Sequence, residues 1–150
     1  MSLVIERFLK YEKERASALF LHQPMGMEAR TWTWKEAGNH ARRMVTALNA
    51  HGLKKGDKVA LLSKNCAEWI IADLAIMMGG FVSVPLYATI TAPTIRMLLE
   101  HSGSKAIIVG KLDNFASQAE GLSAEVAAIY MRAYGHSGSL IWEDLLEKHE

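Results

Sequence analysis

The chain has little sulfur chemistry, little charge imbalance and no clean membrane run. Cys66 is the single cysteine in 150 residues. One thiol excludes an intrachain disulfide and fits a reducing, cytoplasmic compartment. The 17 basic and 16 acidic residues leave a formal net charge of +1, so no electrostatic pull toward nucleic acid or an anionic membrane is expected. No Asn-x-Ser/Thr acceptor, low-complexity tract or internal repeat occurs, and no two of the six histidines have the H-x-x-x-H spacing of a metal site. The N-terminus, "MSLVIERFLKYEKERA", is charged early and amphipathic, unlike a secretory signal. Its first three residues read as a scar of expression rather than a native start.

What is present is an ordinary globular composition, 50% apolar and 22% charged, which separates the chain from disordered sequences. Its most apolar stretch is "CAEWIIADLAIMMGGFVSVPLY", from Cys66 to Tyr87, about the length that spans a bilayer. Glu68 and Asp73 lie inside it, and each ionised group would cost roughly 2.5–3.5 kcal/mol near a bilayer centre. Gly79-Gly80 then breaks it. The residues before the glycines favour helix, and those after them favour strand. The stretch therefore predicts a buried helix over Ala67 to Met78, a glycine turn, and a strand over Phe81 to Val84. That strand should lie parallel to Val59–Leu62.

The remaining elements follow from periodicity and punctuation. Val4, Ile5, Phe8 and Leu9 predict a first helix from about Leu3 to Ala16. Two strands flank the turn "QPMG", with Pro24 and Gly26 as its turn residues. Thr33 and Glu36 have capping-box spacing and open a helix whose apolar face is Trp34, Ala37, Ala41, Val45 and Leu48, with Gly52 as its stop. Arg42 and Arg43 fall off that face. A turn at Gly56-Asp57 leads into the strand "KVALLS". Asn65 or Ser63 should cap the next helix. Thr91 and Pro93 open a further helix that Gly103 ends, and "KAIIVG" is a strand. A helix around "NFASQAEGL", a strand at "EVAAIYM" and a helix start at "LIWEDLLEKHE" complete the alternation. The fold class is α/β: a partial parallel sheet of repeated βα units with helices on both faces, preceded by an N-terminal helix and β-hairpin.

Local motifs carry no chemistry. The turn "LLSKNCAEW" sits where an open α/β sheet places a ligand but has none of the glycines of a phosphate loop. Cys66 has no histidine near it in sequence and reads as a buried structural thiol. "GHSGS" at 135–139 misses the nucleophile elbow because Ser139 replaces its last glycine, and "SGSK" at 102–105 puts its serine at a helix end. The eight methionines, "IMM" included, read as core.

The order of longer phrases is more specific. The helix start "TWTWKE", then "GLKKGDKVALLSKNCAEW", "GGFVSVPLY" and "LLEHSGSKAIIV" resemble the N-terminal region of the AMP-forming acyl-CoA synthetases. The set "NCAEW…VPLYATI…LLEHSGSK" is most similar to the long-chain fatty-acid branch. The resemblance covers about Ala18 to Val109, and "IWEDLLEK" more weakly.

That resemblance implies a parent enzyme of fatty acid metabolism that joins a carboxylate to ATP with Mg²⁺ and passes the acyl-adenylate to coenzyme A. It also implies an absence. The family's phosphate loop, ribose-binding Asp, hinge and C-terminal catalytic Lys all come later in such chains. Residues 1–150 therefore resemble an N-terminal scaffold subdomain whose partner is the rest of the synthetase. No catalytic, cofactor-binding or metal-binding residue is assigned, and this chain alone is expected to be inactive. A sheet cut from a larger one leaves an unpaired edge and an apolar face, so self-association is expected. Peripheral membrane attachment of the parent fits the same resemblance. A free-standing binding or interaction module of the same ancestry is the alternative.

Overall fold

The computed structural model describes residues 3–149. The helix α1 (Val4–Glu14) leads into an antiparallel hairpin, β1 (Leu19–Met25) and β2 (Glu28–Thr33). Met25 pairs with Glu28, so the loop is Gly26-Met27, and Gly26 supplies the positive φ (67°) that such a two-residue loop needs. Pro24 is not a turn residue: it lies within β1 opposite Ala29. A two-stranded ribbon has only edges, where a missing N–H is tolerated.

Thr33 caps α2 (Trp34–Ala50) by the expected capping box: its hydroxyl accepts the Glu36 amide at 3.2 Å, and Glu36 accepts the Thr33 amide at 2.7 Å. Arg42 lies off the buried face as expected, but it is engaged, holding Glu12 of α1 and the Asn39 side chain.

Then come β3 (Lys58–Leu62), α3 (Ala67–Met78), β4 (Val82–Leu86), α4 (Ala92–Ser102), β5 (Ala106–Val109), β6 (Ala127–Tyr130), β7 (Leu140–Ile141) and α5 (Trp142–Lys148). The five strands β3 to β7 form one parallel sheet in the order β4-β3-β5-β6-β7. The Cys66–Tyr87 stretch divides as its composition predicts. α3 ends at Gly79, and Gly80 takes φ 68°. The amide of Phe81 reaches back to Ile76 O at 2.9 Å, closing the helix end as a Schellman-type turn does. A Cβ on Gly79 would lie 2.3 Å from the Phe81 ring. β4 starts one residue later than expected and runs through Pro85. Val82 N bonds Asp57 O, so by alternation the nitrogen of Pro85 points away from the sheet, where no ladder bond is lost. Among the described residues no helix is long and apolar enough to cross a membrane.

Strand alternation builds two cores. Val59, Leu61, Ala106, Ile108 and Ile129 face α2, α3 and α5, with Phe8 of α1 in the same cluster. Ala60, Leu62, Ile107 and Val109 face Ile95 and Leu99 of α4. Helices thus cover both faces. The segment "NFASQAEGL" is not an α-helix. It forms two single 3₁₀ turns, Phe115–Ser117 and Ala119–Gly121. Gly121 packs so close to α4 that a Cβ would meet Ala92 O at 2.5 Å, which leaves no room for a longer helix there.

Candidate functional site

The sheet order places a switch point at the carboxyl ends of β3 and β5. From β3 the chain crosses over one face to β4; from β4 it crosses over the other face to β5. Such a reversal opens a crevice where open α/β sheets bind ligands.

In this chain the switch point is stitched by its own groups. The buried Ser63 hydroxyl accepts the Lys111 amide at 2.9 Å and donates to Lys64 O at 2.7 Å. The Lys64 amide bonds Lys111 O at 2.8 Å, and its ammonium pairs with Asp113 at 2.5 Å. A Cβ on Gly110 would lie 2.5 Å from Ser63 Oγ, so the loops after β3 and β5 touch. The backbone N–H groups of Lys64, Gly110 and Lys111 are thus spent within the chain rather than on a phosphate.

Beside the stitch a groove of about 600 Å³ remains. Trp69 of α3 and the exposed Tyr87 line it together with Pro85 and Leu86, and Ser63, Lys64 and Asn65 are its polar members. A second hollow, about 490 Å³, lies over the start of α4. Buried Gln118 supports the chain there by donating to Ala88 O at 2.9 Å and Ile90 O at 2.8 Å.

The start of α3, which carries Trp69, is held from a distance. Neither Asn65 nor Ser63 caps it. Cys66 takes the cap position without a side-chain cap bond, and the Ala67 amide donates to Gln23 Oε1 of β1 at 2.9 Å. Next in the helix, Glu68 is buried and pairs with Arg30 of β2. The Tyr134 hydroxyl donates to the same carboxylate at 2.6 Å. Burial and that hydrogen bond push the Tyr134 phenol far above its usual range. The Arg30 guanidinium also lies over the rings of Trp32 and Tyr134, at 5.4 and 5.7 Å. Gln23, Arg30 and Tyr134 escape sequence reasoning because each partner is between 38 and 66 residues away; only Glu68, an acid inside an apolar run, gives a local signal.

His136 bonds Gly110 O and its ring meets Phe115 edge-on. Ser102 bonds the Ser104 hydroxyl at 2.7 Å, while the Lys105 amide is in the sheet with Lys58 O. Cys66 is buried, with Ser63 Oγ 3.7 Å from its sulfur. Among the described residues no three His, Cys, Asp or Glu side chains gather as metal ligands.

Residues 8–145 match the family model described as AMP-binding enzyme. A long-chain-fatty-acid–CoA ligase of Mycobacterium bovis is 34% identical over 97 residues, 65% of this chain and 16% of that protein. Fatty acyl-CoA synthetase A of Dictyostelium discoideum is 39% identical over 70 residues, 47% of this chain and 10% of that protein. The chain thus spans a small part of these curated relatives. A crystal structure of a benzoate CoA ligase from Burkholderia xenovorans superposes with a TM-score of 0.83 at 19% identity, over 99% of this chain and 29% of that one. That likeness shows the fold.

Proposed function

The chain belongs to the AMP-binding enzyme family, and from that premise we propose that residues 1–150 are the N-terminal scaffold subdomain of a fatty-acid–CoA ligase. The parent would activate a long-chain fatty acid with ATP and Mg²⁺, and would transfer the acyl group from the adenylate to coenzyme A. In this reading the chain supplies sheet and helices to the large domain, and the catalytic residues lie in sequence that follows it. The observation that carries the reading is the stitched switch point. The Lys111 amide on Ser63 and the Lys64 amide on Lys111 O commit two of the crevice's donors within the chain, whereas stabilising the charge of adenylate formation requires free donors. The exposed Val82, Tyr87 and Met97 are surface that the remainder would cover, and in its absence they favour self-association.

The test is pyrophosphate release from ATP with palmitate and Mg²⁺. The 150-residue chain is expected to stay at the level of a heat-killed control. A product of the same gene extended past Glu150 through a Ser/Thr/Gly-rich loop and a downstream Lys is expected to turn over. Turnover by the short chain would place the site within it and end the scaffold reading. A stop codon after Glu150 would favour the free-standing module.

A further inference from the structure

The groove beside the switch point carries polar groups that the stitch does not use. Its charge is cancelled, because the Lys64 ammonium pairs with Asp113 at 2.5 Å. Its serine is spent, because the Ser63 hydroxyl sits between Lys64 O and the Lys111 amide. Three side chains of the lining stay open: Asn65, Trp69 and Tyr87. Asn65 is exposed and Tyr87 is 84% exposed. Among the described residues none of the three side chains has a hydrogen-bond partner or a ring–ring contact. Trp34, by contrast, packs on Phe8, Tyr11 and Phe20.

These side chains offer two aromatic faces and three donors: the Asn65 amide, the Trp69 indole N–H and the Tyr87 hydroxyl. The backbone under Trp69 is pinned, since the Ala67 amide is held by Gln23 and the Glu68 carboxylate by Arg30 and Tyr134. Pro85 and Leu86 add apolar wall. A groove with no net charge, flat rings and open donors complements a neutral chain rich in carbonyls and poor in N–H groups. An ordinary strand brings one N–H per residue, yet Lys64 accepts nothing and Ser63 is spent. A proline residue brings a ring and a carbonyl and no N–H. A polyproline II helix makes no internal hydrogen bonds, so its carbonyls are available, and aromatic-lined grooves recognise it.

We propose that this groove binds a proline-rich segment of a partner protein in the polyproline II conformation. Its prolines lie on the Trp69 and Tyr87 rings, and the three donors reach carbonyls between them. The groove encloses about 600 Å³. At roughly 30 Å³ for a group the size of a water molecule, it holds about 20 such groups, or about three proline residues, one turn of that helix. The inference does not rest on the ligase reading, since the binding needs neither ATP nor a catalytic remainder.

The experiment titrates the 150-residue chain with hexaproline amide. The Trp69 indole N–H resonance, assigned by its loss in Trp69→Phe, reports occupancy, and calorimetry gives affinity and stoichiometry. One saturable site is expected, with a shift of the Trp69 signal and none of the buried Trp142. A Gly-Ser peptide of the same length should bind at least tenfold more weakly. Tyr87→Ala should weaken hexaproline about tenfold with an unchanged melting temperature, because that side chain is almost wholly in water. Tyr87→Phe, Trp69→Phe and Asn65→Ala each remove one donor and should each weaken it about threefold. No saturable signal, equal binding of the Gly-Ser peptide, or indifference to Tyr87→Ala would overturn the proposal. A saturable response to AMP but not to hexaproline would assign the rings to a nucleobase instead. Sedimentation showing a dimer that Tyr87→Ala dissolves would assign the groove to a second copy of the chain. Either result also overturns the proposal.

Discussion

Gln23 of the hairpin accepts the amide of Ala67, the first residue of α3, at 2.9 Å. A helix that borders the candidate groove is thus started by a residue 44 positions earlier. Gln23→Leu leaves that buried amide unpaired and should lower unfolding free energy by about 1–3 kcal/mol. Asn65→Ala, which removes the residue that local preference favours as a cap, should stay within about 0.5 kcal/mol. Urea denaturation of both variants separates the two. An Asn65 effect as large as that of Gln23 would contradict the observed capping.

Arg30 and Glu68 form a pair in which the Glu68 side chain is 3% exposed and the Arg30 side chain 35%. Removing one partner strands the other, and for a buried pair the loss is about 3–5 kcal/mol. Arg30→Met should fall near the lower end of that range, since the Arg30 side chain is one-third exposed. Arg30→Met combined with Glu68→Leu should recover a substantial part. A double variant no more stable than Arg30→Met alone would show that the carboxylate is not what makes the single change costly.

Tyr134 gives the pair a pH signature. Burial, with the hydrogen bond to Glu68, raises its phenol far above the ordinary value near 10. The folded chain therefore keeps the proton after the unfolded chain has released it. Above pH about 10 the unfolded state binds fewer protons than the folded state, so stability falls as pH rises. Tyr134→Phe removes this contribution: the variant should be less stable at pH 8 and should show a shallower decline between pH 10 and 11. Parallel denaturation curves for the two proteins across that interval would refute the assignment.

The same residues show where local reading ends. The Thr33–Glu36 box, the Gly79-Gly80 break and the short apolar run Val59–Leu62 are signals contained within four or five residues, and α2, the end of α3 and β3 form where they place them. The α3 cap lies outside local reading because Asn65 and Ser63 satisfy the local preference, whereas Gln23 accepts the Ala67 amide from another element. Pro24 is a frequent turn residue, but the register Met25↔Glu28 moves the turn onto Gly26. "NFASQAEGL" has helical composition, yet packing against α4 holds it to 3₁₀ turns. The groove beside the switch point was legible only as a position after a strand, since Tyr87 and Trp69 meet there through topology.

Gly121 tests that last constraint. It closes the second 3₁₀ turn under α4, and a Cβ there would lie 2.5 Å from Ala92 O and 2.8 Å from Ile95 Cβ. Both contacts belong to the first turn of α4, one of them is backbone, and Ile95 is fully buried. No flexible side chain can swing aside, so Gly121→Ala must push the helix from the turn. Overpacking of this kind destabilises by about 1–3 kcal/mol. Gly26→Ala is the control. Nothing lies within 4 Å of a Cβ there, and the residue instead takes φ 67°, a conformation that costs about 1–2 kcal/mol in a non-glycine residue. The two variants should lose comparable stability by different routes. Amide exchange distinguishes them: Gly121→Ala should speed exchange along α4 and the turn Ala119–Gly121, while Gly26→Ala should affect only the hairpin. Unchanged protection of the α4 amides in Gly121→Ala would show that the helix accommodates the methyl and that the contact does not set its position.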